Sequence, residues 1–394
     1  MPVERQEKPK RPTAVGLFAG IGGIEIGLEE AGFSTSLLCE IDPAAKLVLE
    51  HQFPDVPLHE DVTTLKELPP ADLVAAGFPC QDLSQVGRTA GIGGSQSSLV
   101  EHVFRLLDEA KRPPRWLLLE NVPFMLSLEA GKAMSYLTGE LSARGWKWAY
   151  RVVDTRAFGL PHRRLRVILL ASREADPRPV LFEKSETPVE QEFEPGAWCG
   201  FYWTEGLRGL GWAVEAVPTL KGGSALGIPS APGVWNSATD EIGTPDLRDA
   251  ERLQGLPADW TLPAVEDPNR RNNPRWRLVG NAVSTPVARW VGERLRCDVE
   301  GWDEEPAPLS GSWPKAAWGD ETGTFSVEGV TTWPRSEPYT SLSEFLEYEL
   351  RPLSHRAAAG FYDRTGKGSL RTFVPGFLPA VKAHVEAMAE PQAA

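Results

Sequence analysis

The stretch "TAVGLFAGIGGIEIGLEEAGF", residues 13–33, passes from an apolar strand-like run through a glycine-rich turn into a helical pattern closed by Gly32. Such glycines let a backbone turn tightly and approach a ligand at a helix N-terminus. Alone the turn is a weak signal, because glycines also serve plain close packing. The chain that follows strengthens it. Apolar runs "TSLLCEID", "DLVAAGFPC", "RWLLLENV" and "LRVILLAS" alternate with helical patterns such as "SLVEHVFRLLDEAKR". Strands alternating with helices predict βαβ units and a parallel, doubly wound α/β sheet of Rossmann-like type. "WAYRVVDTRAFG" and "RRLRVILLAS" predict a final pair of strands.

A length of 394 residues predicts two or three domains. Residues 1–12 are charged and proline-bearing and predict a disordered tail. Residues 13–171 form the sheet domain. Residues 172–245, frequent in Gly, Pro and Trp, predict a small irregular domain. Helical patterns return over 246–297, and 298–340 predicts an acidic linker or wrap. A helical module closes the chain over 341–394. No apolar run approaches the roughly 20 residues of a membrane helix. The four cysteines, Cys39, Cys80, Cys199 and Cys297, form no CxxC pair. That pattern suggests neither a zinc ribbon nor a disulfide framework, and no metal site is expected. The expected compartment is a reducing cytoplasm. Net charge is −13, but residues 298–350 alone hold twelve acids and two bases. Residues 248–296 hold nine arginines against six acids, so a local basic face for phosphate stays compatible with the acidic total.

Gly20, Glu40, Cys80 and Glu120 all fall at the carboxyl ends of predicted strands, the edge along which open α/β sheets bind ligands. Glu40 lies where an acid grips ribose hydroxyls in dinucleotide-type sites. Ile41 could pack on an adenine face, and Asp61 in "HEDV" could accept from an adenine amine. Cys80 follows Pro79 out of a strand and enters the long Gly-punctuated loop "QDLSQVGRTAGIGGSQSS", as a closing lid would. A lone cysteine is more often a small buried hydrophobe. Beside Glu120 and Asn121, delivered by "LLLENV", it suggests covalent catalysis with acid assistance.

With these residues in place, the sequence resembles the cytosine-C5 DNA methyltransferases of bacterial type. "FAGIGG", "CEID", "GFPCQDLS", "ENV", "LPHRRLRV", "RLQGLP" and "GNAVSTPVARW" occur in the family's order across most of residues 13–297. The resemblance implies S-adenosyl-L-methionine as cofactor and double-stranded DNA as substrate. It implies that Phe18, Gly20, Ile21, Gly22 and Gly23 line the cofactor. Glu40, Ile41, Asp61 and Val62 would hold its nucleoside, and Asn281 and Val283 its methionine end. Cys80 is implied as nucleophile, with Glu120 on the cytosine edge and the paired Arg164 and Arg166 nearby, Arg164 at the base carbonyl. Arg164 is also a candidate for activating the thiol. Segment 172–245 becomes the target-recognition domain. Gln81, Ser84, Arg88, Arg270 and Arg271 are the expected nucleic-acid contacts, with Arg275 and Arg277 as further candidates for tracking phosphates.

The chain departs from the family at two points. His162 stands where a glutamine usually leads the Gln-x-Arg-x-Arg pattern, and Gln96 stands where an arginine is common. A structural hydrogen-bonding role is expected of His162. The expected setting is restriction-modification or phage defence, with a monomeric, nucleoid-associated enzyme and a cognate restriction or defence partner. A tRNA-methylating enzyme and a catalytically silent DNA-binding regulator on the same scaffold remain the alternatives. The basic C-terminal module reads equally as an accessory contact unit or as a stabilising cap.

Overall fold

Residues 11–79, 99–223, 231–267, 274–297, 301–302, 305–370 and 373–389 are described by a computed structural model. The apolar runs become strands β1 (Thr13–Leu17), β2 (Ser34–Cys39), β3 (Leu58–His59), β4 (Leu73–Ala76) and β5 (Trp116–Asn121). They pair in parallel in the order β3-β2-β1-β4-β5. Every residue of β4 and β5 is buried, as parallel strands covered on both faces require. Beyond β5 the sheet continues antiparallel through β6 (Lys147–Asp154) and β8 (Leu165–Ser172), the expected final pair. Between these two, β7 (His162–Arg163) leaves the main sheet.

Helices cover both faces. On one side lie α3 (Leu99–Asp108) and α4 (Lys132–Ala143). Val100, Val103, Phe104 and Leu107 of α3 recur at helical spacing and are all buried. On the other side α1 (Gly23–Glu30) packs against α8 (Thr285–Arg296) through Ile24, Leu28, Val287 and Val291. Helix α2 (Pro43–Gln52) starts with Pro43 at its first position. The Asp42 carboxylate accepts from the N–H groups of Ala44 and Ala45, an N-cap that fixes where the helix begins. Short helices α5 (Arg178–Phe182), α6 (Leu247–Arg252) and α7 (Arg275–Asn281) complete this half.

Segment 172–245 holds short strands rather than unbroken loop. β9 (Trp198–Phe201), β10 (Ala213–Val214), β12 (Gly233–Asn236) and β13 (Glu241–Thr244) make an antiparallel sheet. β11 (Val217–Pro218) pairs with β7 in a separate two-stranded sheet. The acidic stretch after residue 298 contributes β14 (Ala307–Pro308), β15 (Ala316–Asp320) and β16 (Gly323–Ser326). β15 pairs along β6 and so extends the ten-stranded sheet.

The C-terminal region returns to the small sheet. After α9 (Leu342–Phe345), β17 (Arg351–Pro352) pairs with β13, and α10 (His355–Lys367) and α11 (Phe377–Ala389) follow. Phe361 and Phe377 are fully buried against Phe201, Trp212 and Trp235. Among its bases, Arg351 pairs with Asp246, Lys367 forms a surface pair with Asp363, and Arg364 donates to the carbonyls of Trp203 and Glu205. The helices of the module thus form part of the small sheet's core. Phe377→Ala is therefore expected to cost about 3–5 kcal/mol. Thermal unfolding should report it, and an unchanged melting temperature would detach the helices from the sheet's core.

Candidate active site

At the carboxyl ends of β1, β2 and β4 a cavity of about 310 Å³ opens beside the break in strand order, between β1 and β4. Glu40 forms its clasp. One carboxylate oxygen accepts from Gly20 N at 2.7 Å and the other from Asp42 N at 2.8 Å, which joins the loops after β1 and β2. Burial raises the Glu40 carboxyl above its ordinary range, against the pull of those N–H groups. Each oxygen keeps a lone pair for a ligand hydroxyl. Ile41, 67% exposed on the rim, offers an open apolar face. Asp61 and Val62 form the next wall, and Asp61 is held below its usual range mainly by the N–H of Thr63. Opposite stand Arg277, Leu278 and Asn281 from α7. Burial pushes Asp42 up, but the hydrogen bond and charge of Arg277 outweigh it. Arg277 thus closes the cavity by binding Asp42.

The glycine loop divides its labour. Phe18 and Gly20, both with positive φ, line the cavity. Ile21, Gly22, Gly23 and Val283 do not; they pack the loop from behind. A β-carbon at Gly22 would meet the Phe53 ring at 2.4 Å, and one at Gly23 would meet the Val283 carbonyl at 2.4 Å. Trp260 donates its indole N–H to Ile21 O at 2.8 Å and packs edge-on against Phe53. Sequence reading missed Trp260 and Leu278 and gave Arg277 only as a candidate for tracking phosphates. Their only signal was position, just after "RLQGLP" or just before "GNAVS". Cys39 also touches the cavity, but burial pushes its thiol up to about 12, so it stays protonated and inert.

The neighbouring strand ends carry the reactive groups. Gly77 and Pro79, which lead out of β4, line the same cavity. Cys80 itself lies outside the described residues, as do Gln81, Ser84, Arg88, Gln96, Arg270 and Arg271. Its approach is fixed by Asn121, whose amide donates to Phe78 O at 3.1 Å while its carbonyl oxygen accepts from Val122 N. Beside it, Glu120 Oε1 meets Arg166 Nε at 2.8 Å, both side chains nearly buried. A β-carbon at Gly77 would stand 3.6 Å from the other oxygen, Oε2. That carboxylate therefore faces the strand end that delivers Cys80.

A profile of the C-5 cytosine-specific DNA methylase family matches residues 13–199. The Type II methyltransferase M2.BsuMI of Bacillus subtilis (strain 168) is 50% identical over 363 residues, covering 90% of this chain and 93% of that relative. The chain belongs to the C-5 cytosine-specific DNA methylases. The Type II methyltransferase M.MspI of Moraxella sp is 32% identical over 304 residues, covering 71% of the methylase and 69% of the relative. In fold, the methylase is similar to the Dnmt2 methyltransferase of S. pombe, with a TM-score of 0.52 at 16% identity, over 71% of this chain and 97% of that one. Membership implies a methyl donor and DNA as the molecule acted on.

Two arginines expected to act together part company in the methylase. Arg166 meets Glu120. Arg164 is wholly buried and donates instead to the carbonyls of Leu220 (3.0 Å), Gly280 (3.2 Å) and Ala282 (2.5 Å). Both terminal nitrogens are taken by backbone carbonyls, so it holds chain segments together and they are not free to meet a base carbonyl. Arg275 is likewise internal, bonded to Glu251 and Thr261, and does not track phosphates. His162 is a structural hydrogen-bonder: Nε2 accepts from Leu220 N at 3.0 Å, which leaves Nδ1 to donate to Leu253 O at 2.9 Å. Complete burial, with the Arg164 charge beside it, holds its pKa well below the ordinary value.

Two outcomes follow. A histidine kept neutral in the fold but ordinary when unfolded, near 6.5, favours folding above that pH. The unfolded chain binds the extra proton below it, so stability falls as pH drops through about 6.5. His162→Gln keeps one donor and one acceptor and should flatten stability between about pH 6.5 and 5; an unchanged slope in denaturant titrations would assign it elsewhere. Asn121→Ala should lower turnover on the order of a hundredfold by loosening the approach to Cys80. Steady-state kinetics would contradict that role if kcat held and only KM moved.

Proposed function

We propose that this methylase transfers a methyl group from S-adenosyl-L-methionine to C5 of a cytosine flipped out of duplex DNA, through a transient bond between Cys80 and C6. One observation carries the reading: the strand end entering Cys80, the Arg166–Glu120 pair and a nucleoside-sized cavity converge on one sheet edge. The donor set suits the cofactor. Glu40 can accept from ribose hydroxyls, Ile41 can cover an adenine face, and Asp61 can accept from its amine. Carboxylates outnumber the single Arg277 around the cavity, which favours a cationic sulfonium. When bound, S-adenosyl-L-methionine supplies an electrophilic methyl group.

The residues of the chain do the rest. The Cys80 thiolate adds to C6, and the C5–C6 π electrons move to C5, which makes that carbon nucleophilic. Glu120, held by Arg166, engages N3 and the amine edge of the ring, by protonation or hydrogen bonding, and so stabilises the electron-rich adduct. After methylation a base takes the C5 proton, the C5–C6 double bond re-forms and Cys80 leaves as thiolate. A ring face stacked in a duplex is out of reach, so the base must leave the helix. The segment 172–245, with its own sheet, is the natural reader of flanking sequence. A restriction-modification setting is supported by the Type II methyltransferases it is similar to. We place the enzyme in the cytoplasm, as a monomer on nucleoid DNA beside a cognate nuclease.

Tritiated S-adenosyl-L-methionine and duplex DNA should give labelled 5-methylcytosine. Cys80→Ala should abolish transfer, and DNA carrying 5-fluorocytosine should trap a covalent adduct, because fluorine cannot leave as the proton does. Label found only on tRNA would transfer the activity to RNA. DNA binding with neither label nor adduct would make the chain a silent DNA-binding regulator.

A further inference from the structure

The opposite edge of the parallel sheet holds a second, larger cavity of about 410 Å³. It sits at the amino ends of β1, β4 and β5, floored by Thr13, Asp72 and Trp116 and walled by the end of α8. The five residues of β1 put roughly 16 Å between it and the glycine loop. Four guanidinium groups line it, those of Arg11, Arg112, Arg115 and Arg296, against one carboxylate, Asp72.

That carboxylate is half-buried and already engaged. Asp72 Oδ2 accepts from Thr13 N at 2.8 Å and Thr13 Oγ1 at 3.2 Å, and Oδ1 takes one N–H of Arg112 at 3.2 Å. Arg296 gives one N–H to Ala31 O at 2.7 Å and is thereby held against the turn at Gly32. Arg11 and Arg115 have no carboxylate partner among the described residues, and Arg115 lies over the Trp116 ring at 5.8 Å. In a chain of net charge −13, where many arginines are paired, a concave surface with four bases and one acid, itself paired with Arg112, is a local positive well. Guanidinium forks match phosphate oxygens bidentately, and a row of them matches several linked phosphates better than one small anion. Trp116 and Phe33 are buried, so no open aromatic face is offered to a base.

We propose that this cavity is a polyphosphate site, which takes the linked phosphates of inorganic tripolyphosphate or of a nucleoside triphosphate and does not read the base. Calorimetry on the full chain at low ionic strength tests it with tripolyphosphate, ATP and adenosine. With the cofactor cavity filled by saturating S-adenosyl-L-homocysteine, tripolyphosphate and ATP should bind alike, and adenosine should give no heat. The double variant Arg11→Gln/Arg115→Gln, at exposed positions outside the cofactor cavity, should bind tripolyphosphate about a hundredfold more weakly, with unchanged melting temperature. The double variant Arg11→Lys/Arg115→Lys should retain part of the affinity. Saturation with S-adenosyl-L-homocysteine should leave tripolyphosphate binding intact. Wild-type affinity in the glutamine variant, binding of ATP without tripolyphosphate, competition by S-adenosyl-L-homocysteine, or no binding of either phosphate would each overturn the proposal.

Discussion

The buried guanidinium of Arg164 joins three parts of the chain that are far apart in sequence. It stands just before β8 and reaches carbonyls at Leu220, in segment 172–245, and at Gly280 and Ala282, at the end of α7. Removing the donors would leave several buried carbonyls unpartnered, each costing about 1–3 kcal/mol. The close approach it holds admits no side chain at Gly280, where a β-carbon would stand 2.2 Å from the Lys221 carbonyl carbon. Gln254 works alongside, donating to Val279 O and accepting from Ser284 Oγ. Through this junction Asn281 and Leu278 arrive at the cavity beside Glu40, and Val283 arrives behind the glycine loop.

The parallel half of the sheet was legible because its strands are short, wholly apolar and separated by amphipathic helices. Buried parallel strands leave that signature whatever their neighbours. The roles of Glu40, Asp61 and Glu120 as acids at strand ends were legible for the same reason, since position along a strand fixes which edge a residue reaches. Other features depend on partners distant in sequence. Nothing local distinguishes Arg164 from Arg166; only the carbonyls of residues 220 and 280–282 separate the internal rivet from the partner of Glu120. Gly22 and Gly23 look like ligand-facing glycines in the motif, yet Phe53 and Val283 decide that they serve packing. Trp260 shows no periodicity to read, and its contact with Ile21 O spans more than two hundred residues.

The acidic stretch after residue 298 shows how composition misleads about structure. Its charge suggests a solvated connector, but Ala316, Ala317 and Trp333 are buried, and β15 lies along β6. Arg151 shows how tightly the stretch is bound in: from within β6 it donates to the carbonyls of Thr331, Leu181 and Lys184. Edge-strand pairing uses the backbone, so a sequence rich in acids on its outer face can still complete a sheet.

The small antiparallel sheet is assembled from both flanks of the α8 and β14–β16 region, with β13 paired to β17 and the aromatic rings of β9 and β12 covered by α10 and α11. Its modular unit is thus discontinuous in the gene. A graft of residues 172–245 alone into another scaffold would arrive with Phe201 and Trp235 uncovered. Recombination between such enzymes can exchange this small sheet as a folded unit only when both pieces travel together.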